Sequence, residues 1–482
     1  MRFTLYLNVK EFPERSNFLS NERLTLNAQL SPKAFLAVEE CEMDIVGHKI
    51  FVRLKDIPMY ISKKTKDSIR NRYSHSIEVG LSTEYILNHV STQLGDDVDL
   101  NFFKIAKIVG FLHDIGHTAF SHDGEVILDR MLLEASSSLS KPIRFNANLN
   151  NFRRILKYEF YENLPEDVQH YAYASLLKRV SELDEYPEYL YLKSYLENAI
   201  ALEENYLASK GISVKNSVNK TILCQAMDIA DENRYRVTDI IDSLNIYSKE
   251  KLQEILLRSI SSEIRVKDIR KFVHLKTLEI PGYEEIHYDK IKIKDLLIAL
   301  LNLSSNAKTE FQNTMNSISM AFNRNLILTK EAKLVPLNDE LEILRRDFNK
   351  IAAKYIWGSK KVDNIKKPYN HYFITVADYF INRDFEIDLI DSNTYKEELL
   401  ALDKSDRSQD QYLKEKLCLL RNFLGGLTNL KIIELYKMIQ LFNFEVKLGY
   451  KLKNGKKLIE KNTVISLEKK LEKYSSRLKR KI

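Results

Sequence analysis

From about Thr65 onward, apolar residues recur at intervals of three and four, and that spacing commits most of the chain to amphipathic helices. Ile77, Leu81, Tyr85 and Ile86 set the pattern, and Phe103, Ala106, Ile108, Val109, Phe111 and Leu112 continue it. Little interrupts it. The 482 residues include only 13 glycines and 9 prolines, while long side chains that lose little entropy in a helix are plentiful. Helices are predicted over Asp129–Ser138, Phe152–Tyr158, His170–Leu183, Tyr189–Lys210, Asn216–Ser243, Lys249–Phe272, Ile293–Leu303, Ala307–Asn325, Asn338–Lys354 and Lys416–Phe444, with Ser137–Asn150 as a loop. Phe3–Val9 and Lys49–Leu54 read as short β-like stretches, and Ile280–Ile293 as a hairpin or strand pair. The expected fold class is all-α with minor β-hairpin elements.

Three widely separated cysteines, Cys41, Cys224 and Cys418, offer neither a disulfide framework nor a thiolate metal site, so a reducing cytoplasm is the expected compartment. The first residues carry charge too early for an apolar signal core, and no apolar run approaches the roughly 20 residues of a membrane span. The net charge of +7 is unevenly spread: Lys447–Ile482 holds thirteen Lys or Arg against three Glu, which leaves the preceding 446 residues at about −3. The tail therefore offers a surface for single-stranded nucleic acid or another polyanion, or serves as a solvated face.

Histidine is scarce, at ten residues, yet five fall between His75 and His122. The densest run is GFLHDIGHTAFSHDGE at 110–125, where His113-Asp114 follows a buried apolar stretch. If the helix continues that far, His113 and His117 share one face, as do Asp114 and His117; Gly116 permits an early end instead. Imidazole and carboxylate together suit a divalent ion while limiting charge build-up. His75 and Asp231 are the best-placed further ligands, giving two imidazoles and two carboxylates with positions left for water and a phosphate oxygen. His89 reads as a hydrogen-bonded histidine near the core and Asp228 as an acid on a solvated face.

Several ordered segments resemble the HD-domain deoxynucleoside triphosphate triphosphohydrolases, the group of the bacterial dGTPases and their vertebrate dNTPase relatives. They are IRNRYSHSIEVG at 69–80, the run at 110–125, RFNANLNNFRRIL at 144–156 and MDIADENRYRVTDIID at 227–242. LLRNFLGGLTNL at 419–430 is a weaker match. The resemblance implies an HD-domain helical fold with helical elaborations and one divalent ion per active site, Mg2+ or Mn2+ or another transition metal. The implied ligands are His75, His113, Asp114 and Asp231. It implies that His122 and Glu125 form a catalytic dyad, with His117 near the phosphate or the attacking water. Arg72 would meet phosphate, and Tyr235 and Asp239 would meet the sugar, on one helical stripe with Asp231.

The implied reaction is hydrolysis of a deoxynucleoside triphosphate to deoxynucleoside and triphosphate. There are departures from the family pattern. A Thr-Gln pair is replaced by Pro58-Met59, the lysine of the family's phosphate-contacting Lys-Tyr-Pro segment is missing before Tyr186, with Lys178 as its candidate substitute, and two late aspartates read as Asn422 and Asn429. All fall where substrate is read, so base preference does not transfer.

The expected organisation is an N-terminal segment at 1–60, an HD catalytic core at 61–245, a helical region at 246–445 that completes the pocket and oligomer contacts, and a basic tail at 446–482. The resemblance also implies a homo-oligomer, with an allosteric nucleotide as an option. Two other readings stand beside it: a different HD-type nucleotide phosphohydrolase (a nucleotidase or cyclic-nucleotide phosphodiesterase), and a nucleotide-sensing or nucleic-acid-binding regulator on an HD fold.

Overall fold

Every residue from Ile105 to Leu112 except Lys107 is buried, as the apolar run requires, and Lys107 turns outward to both oxygens of Glu42 at 3.1 Å. A computed structural model describes residues 32–59, 70–94, 100–186, 189–209, 220–275, 288–303, 307–329, 331–383, 389–390, 393–402 and 408–447. Within these residues the chain is helical throughout, apart from one antiparallel pair, Leu326–Leu328 with Leu334–Pro336. No helix there is long and apolar enough to cross a membrane.

The buried helix, Leu100–Leu112, packs against Arg72–Leu94, which also lies along Ile222–Ser243. The first contact is close because two glycines meet in it. A Cβ on Gly110 would sit 2.4 Å from the Gly80 Cα, and one on Gly80 would strike the Phe111 ring. Only glycine lets the backbones approach this far, and the crossing brings His75 and His113, just beyond it, to ring centroids 5.4 Å apart.

Three hydrophobic clusters surround these helices. The first contains Val79, Ile108, Leu112, Ile115, Leu223 and Ala230. The second joins Ser121–Ala135 to Lys360–Asn382, Gln409–Gly425 and Asn429–Lys447. The third gathers Val237 and Ile240 with the helices between Lys249 and Ile351. Two segments pass from one cluster into another. Ile222–Ser243 leaves the first after Ala230 and enters the third at Val237, while the chain from Ile115 to Ala119 crosses from the first to the second. The polar residues of both segments occupy these seams.

Several sequence expectations change. Lys49–Leu54 is not β-like: Lys49–Val52 is α-helical and Arg53–Asp56 a 3-10 turn, because Ile50, Phe51, Leu54 and Ile57 are all buried at helical spacing. The predicted His170–Leu183 helix stops at Ser175, and a 3-10 segment, Val180–Glu185, follows. Lys249–Phe272 is broken after Ser259, where the Asp347 carboxylate accepts the Ser261 and Ser262 N–H groups at 2.6 and 3.1 Å. Lys416–Phe444 is interrupted between Gly425 and Asn429. The strand pair falls in the gap between two predicted helices. Of the proposed Ile280–Ile293 hairpin, 280–287 lies outside the described residues, and the remainder contributes one isolated bridge, Arg265 to Lys292. Phe3–Val9 and all but the first two residues of the basic tail also lie outside them.

Candidate active site

The buried helix ends at Leu112, so His113-Asp114-Ile115-Gly116 forms a turn and His117 is reached by that turn instead of by a further helical step. Ending a helix strands backbone carbonyls, and here side chains collect them. Asn151 donates to His113 O at 2.5 Å and Asn150 to Gly116 O at 2.8 Å. One guanidinium nitrogen of Arg53 donates to both Ile115 O and His117 O, at 3.0 and 2.7 Å. The other reaches Leu427 O at 3.3 Å, in the break between the two late helices. Gly116 is obligatory, because a Cβ there would lie 2.2 Å from Ala147 O.

This turn presents the carboxylate and imidazoles of the first cluster. Asp231 Oδ1 lies 3.0 Å from His75 Nε2 and 3.6 Å from His113 Nε2. Asp114 closes the ring, with Oδ1 3.5 Å from His113 Nε2 and Oδ2 3.9 Å from His75 Nε2. The four residues read as ligands from sequence are therefore brought together. His113 Nδ1 lies 2.6 Å from Gly110 O, so it carries the proton and Nε2 is left as an acceptor. That Nε2 is buried and has no hydrogen-bond partner. An imidazole lone pair aimed between two carboxylates fits a cation. Ligand atoms about 2.1 Å from a divalent ion stand roughly 3.0–3.4 Å from one another, and the potential ligand atoms of His75, His113 and Asp231 all lie within 4.8 Å of one another.

Two side chains named from sequence as phosphate partners sit against this cage. Arg72, buried, forms an ion pair with Asp114 and donates from Nε to Ser121 Oγ at 3.1 Å. Lys178 Nζ lies 2.7 Å from Asp231 Oδ2, brought there by the helix break after Ser175. Burial alone would raise both carboxyls, but Arg72 and then His113 outweigh it at Asp114, and Lys178 and then His113 at Asp231. Both are held well below the usual carboxylate range. Asp228 is taken by Lys220, which separates it from the ligand set.

The second cluster lies beside the first. His117 and His122 meet edge to face with centroids 5.2 Å apart, and His122 Nδ1 is 3.3 Å from Glu125 Oε2. The other Glu125 oxygen accepts the Ala147 N–H at 2.7 Å, which fixes the carboxylate. His117 Nδ1 is 3.3 Å from Asp114 Oδ1 without the alignment of a hydrogen bond. Burial, then Arg72, push the His117 pKa well below the usual range, so the ring is neutral. The potential ligand atoms of His117, His122 and Glu125 also lie within 4.8 Å of one another.

Between the clusters, Phe120 and Ser121 both adopt the left-handed region, at φ 60° and 56°. Such backbone is strained for residues with a Cβ and needs support. Asn429 supplies it, accepting the Phe120 N–H at 2.8 Å, while Thr118 Oγ1 donates to Leu424 O at 3.1 Å. Ser121 Oγ is 3.2 Å from the carbonyl of Pro58, one of the two positions where the Thr-Gln pair is lost.

The third element is the stripe on Ile222–Ser243. Tyr235 and Asp239 follow Asp231 one and two turns on, towards the third cluster. Burial, and then Asp242, push the Asp239 carboxyl up to about 8, and the Trp357 indole N–H, donating to it, offsets part of that rise. Asp239 Oδ2 is buried with no hydrogen-bond partner.

The HD domain family matches residues 72–232, a span that begins at the first residue of the His75 helix and ends one residue past Asp231. The chain carries an HD domain. The relatives found for it point to the same group as its motifs. A deoxyguanosinetriphosphate triphosphohydrolase-like protein 2 from Vibrio cholerae is 29% identical over 182 residues, covering 36% of this chain and 39% of the relative. A second protein 2, from Mesorhizobium japonicum, is 26% identical over 222 residues, 42% and 44% of the two chains. A deoxyguanosinetriphosphate triphosphohydrolase-like protein from Agrobacterium fabrum is 28% identical over 278 residues, 53% and 59%. The matched stretches thus span about two fifths to three fifths of these relatives' lengths.

Arg53, Asn150, Asn151 and Trp357 were not singled out by sequence reasoning as site residues, and Asn429 was named only as a departure from the family pattern. Asn150 and Asn151 lie in a quoted motif, and that membership was the one available signal.

Proposed function

We propose that this HD domain hydrolyses deoxynucleoside triphosphates to deoxynucleoside and inorganic triphosphate. The observation that supports the reading is the His75–His113–Asp114–Asp231 cage with the His122–Glu125 pair beside it and Tyr235 and Asp239 one and two turns beyond Asp231 on the same helix. In this reading residues 61–245 form the catalytic core and 246–445 complete the pocket, through Trp357 and the segment from Asn422 to Asn429.

A divalent ion held by the cage would polarise a phosphoryl oxygen and lower the pKa of bound water. The protein's own groups do the rest. Arg72 and Lys178, buried beside the cage and paired with its two carboxylates, would turn their remaining N–H groups to the oxygens of a docking triphosphate. The neutral His117 orients a water or phosphate oxygen. His122, with Nδ1 engaged by Glu125, has Nε2 available to move a proton at the 5′ oxygen. As water oxygen bonds to the α-phosphorus and the α-phosphorus–O5′ bond breaks, that proton completes the departing deoxynucleoside.

The test is product chromatography with each dNTP and NTP in Mg2+ or Mn2+. Inorganic triphosphate with deoxynucleoside supports the reading, whereas monophosphate with pyrophosphate, or diphosphate with phosphate, overturns it. One observation favours a second reading, a two-metal phosphohydrolase: the second ligand-like trio of His117, His122 and Glu125. Metal analysis of the full chain separates them, at one bound ion or two.

A further inference from the structure

Each carboxylate of the cage has one oxygen among the imidazoles and the other committed to a cation. Asp231 Oδ1 lies 3.0 Å from His75 Nε2 and 3.6 Å from His113 Nε2, while Oδ2 accepts from Lys178 Nζ at 2.7 Å. Asp114 is divided in the same way. Its Oδ1 lies 3.5 Å from His113 Nε2 and 3.3 Å from His117 Nδ1, and its Oδ2, 3.9 Å from His75 Nε2, is taken by Arg72.

Both cations are fixed where they stand. Arg72 is buried and donates from Nε to Ser121 Oγ at 3.1 Å. Lys178 follows two buried leucines, Leu176 and Leu177, past the end of the helix at Ser175, and its side chain is only 15% exposed. The other carboxylate within its reach, Asp228, is 3.9 Å away and is itself paired with Lys220. The Lys178 ammonium therefore rests on Asp231.

A carboxylate with one oxygen committed offers a metal ion a single ligand atom. Ions differ in what they ask of it. Ca2+ takes about six to eight oxygen ligands and readily uses both oxygens of one carboxylate, whereas the smaller Mg2+ keeps near-octahedral geometry and several of its own waters. Two histidines and two single oxygens meet the second demand and fall short of the first.

We propose that Lys178 is a positioning residue that sets the ion selectivity of the cage: by holding Asp231 Oδ2 it leaves one oxygen for the metal and so favours a small, water-carrying ion over Ca2+. Arg72 acts in the same sense at Asp114. The proposal rests on the cage of the triphosphohydrolase reading and on nothing about the substrate. A lysine acting by charge alone would weaken every divalent ion alike, so the ratio of two affinities isolates ligation from repulsion.

Full-length protein without nucleotide is titrated with Mn2+, and free Mn2+ is read from its electron paramagnetic resonance signal. Mg2+ and Ca2+ are then used in separate samples to displace the bound ion. The parent is expected to hold at least one Mn2+ per chain and to prefer Mg2+ to Ca2+. Lys178→Met keeps the length of the side chain and loses its charge and donors, which frees Asp231 Oδ2. The ratio of Kd for Ca2+ to Kd for Mg2+ should then fall roughly tenfold, the lower end of what a partner of a metal ligand contributes. Lys178→Ala is measured beside it, with the same fall expected, so that a poorly folded methionine variant does not decide the outcome. An unchanged ratio in the folded variant, with both affinities shifting together, or a parent that prefers Ca2+, overturns this proposal alone. If the parent holds no Mn2+, the cage fails as a metal site, and the triphosphohydrolase reading fails with it.

Discussion

His113 is fully buried, with one ring nitrogen on a backbone carbonyl and the other aimed between two carboxylates; His122, nine residues on, keeps 78% of its side chain in solvent and meets the protein through Glu125. The first cluster is built to stay fixed. Its carboxylates carry Arg72 and Lys178, and the turn that presents it is tied by Arg53, Asn150 and Asn151. The second is built around a side chain free to approach a substrate, with only its partner carboxylate and the turn before it restrained. Binding a cation and moving a proton make opposite demands. A cation site gains from rigid, dry ligands, and a proton-transfer group must reach the reacting atom.

That contrast breaks most visibly at Asp231. Asp231→Ala leaves the buried Lys178 only the more distant Asp228 carboxylate, at 3.9 Å, and His75 without its acceptor. Stability should fall by roughly 3–5 kcal/mol, and bound Mn2+ should be lost together with hydrolysis. Denaturant melts and metal analysis check this, and a variant retaining one ion per chain would contradict the ligand role.

His122→Ala should do the reverse. Hydrolysis falls by roughly 10²–10⁴-fold, while stability moves by less than about 0.5 kcal/mol because the side chain is exposed. Metal content stays at the parent level. A marked drop in melting temperature would show that the two clusters are not separable.

Asn429→Ala probes the support between them. It leaves the buried Phe120 N–H without an acceptor, at about 1–3 kcal/mol. It should lower hydrolysis without altering metal content, and Asn429→Asp, which restores an acceptor, should recover most of both. If Asp fails to rescue, the hydrogen bond is not what matters at that position.

Glu203 sharpens the comparison through acids that lack a cation. It is buried, accepts from Tyr171 and from the Ile222 N–H, and burial raises its pKa to about 8. Asp114 and Asp231, equally enclosed, shift the other way because each carries a cation. The folded chain keeps the Glu203 proton up to about pH 8, whereas the unfolded chain releases it near 4.5, so stability falls as pH rises between those values. The loss approaches about 1.4 kcal/mol per pH unit mid-window, and between pH 7 and 8 it amounts to about 1 kcal/mol. Glu203→Gln keeps the accepting oxygen and should flatten that slope in pH-dependent denaturant melts; an unchanged slope would assign it to other groups.

The grouping of His75, His113, Asp114 and Asp231 was legible from sequence because cation binding needs particular residue types, and a chain with ten histidines that places five of them in a short stretch points to that region. The helical class was legible from apolar spacing. What holds the cage was not. Arg53, Asn150 and Asn151 act on backbone carbonyls, which every residue has, so the sequence carries no mark of their partners. Helix ends were misplaced for the same reason: the breaks after Ser175, Ser259 and Gly425 depend on distant acceptors and donors, not on glycine or proline alone. Lys178 was read as a phosphate partner because its distance from Asp231 depends on the first of those breaks. Trp357 falls just past the predicted Asn338–Lys354 helix, with nothing local to distinguish it.

The ties to the late segment set an order of events during synthesis. His75, His113 and Asp231 can gather once residue 231 has emerged from the ribosome. The Phe120–Asn429 hydrogen bond spans 309 residues and the Arg53–Leu427 bond 374. At elongation rates of roughly 5–20 residues per second, the strained turn before His122 waits about 15 to 60 seconds for its acceptor. A growing chain therefore holds the His75–His113–Asp231 grouping long before it holds a finished turn, and the backbone that leads into His122 is completed only after residue 429 has emerged.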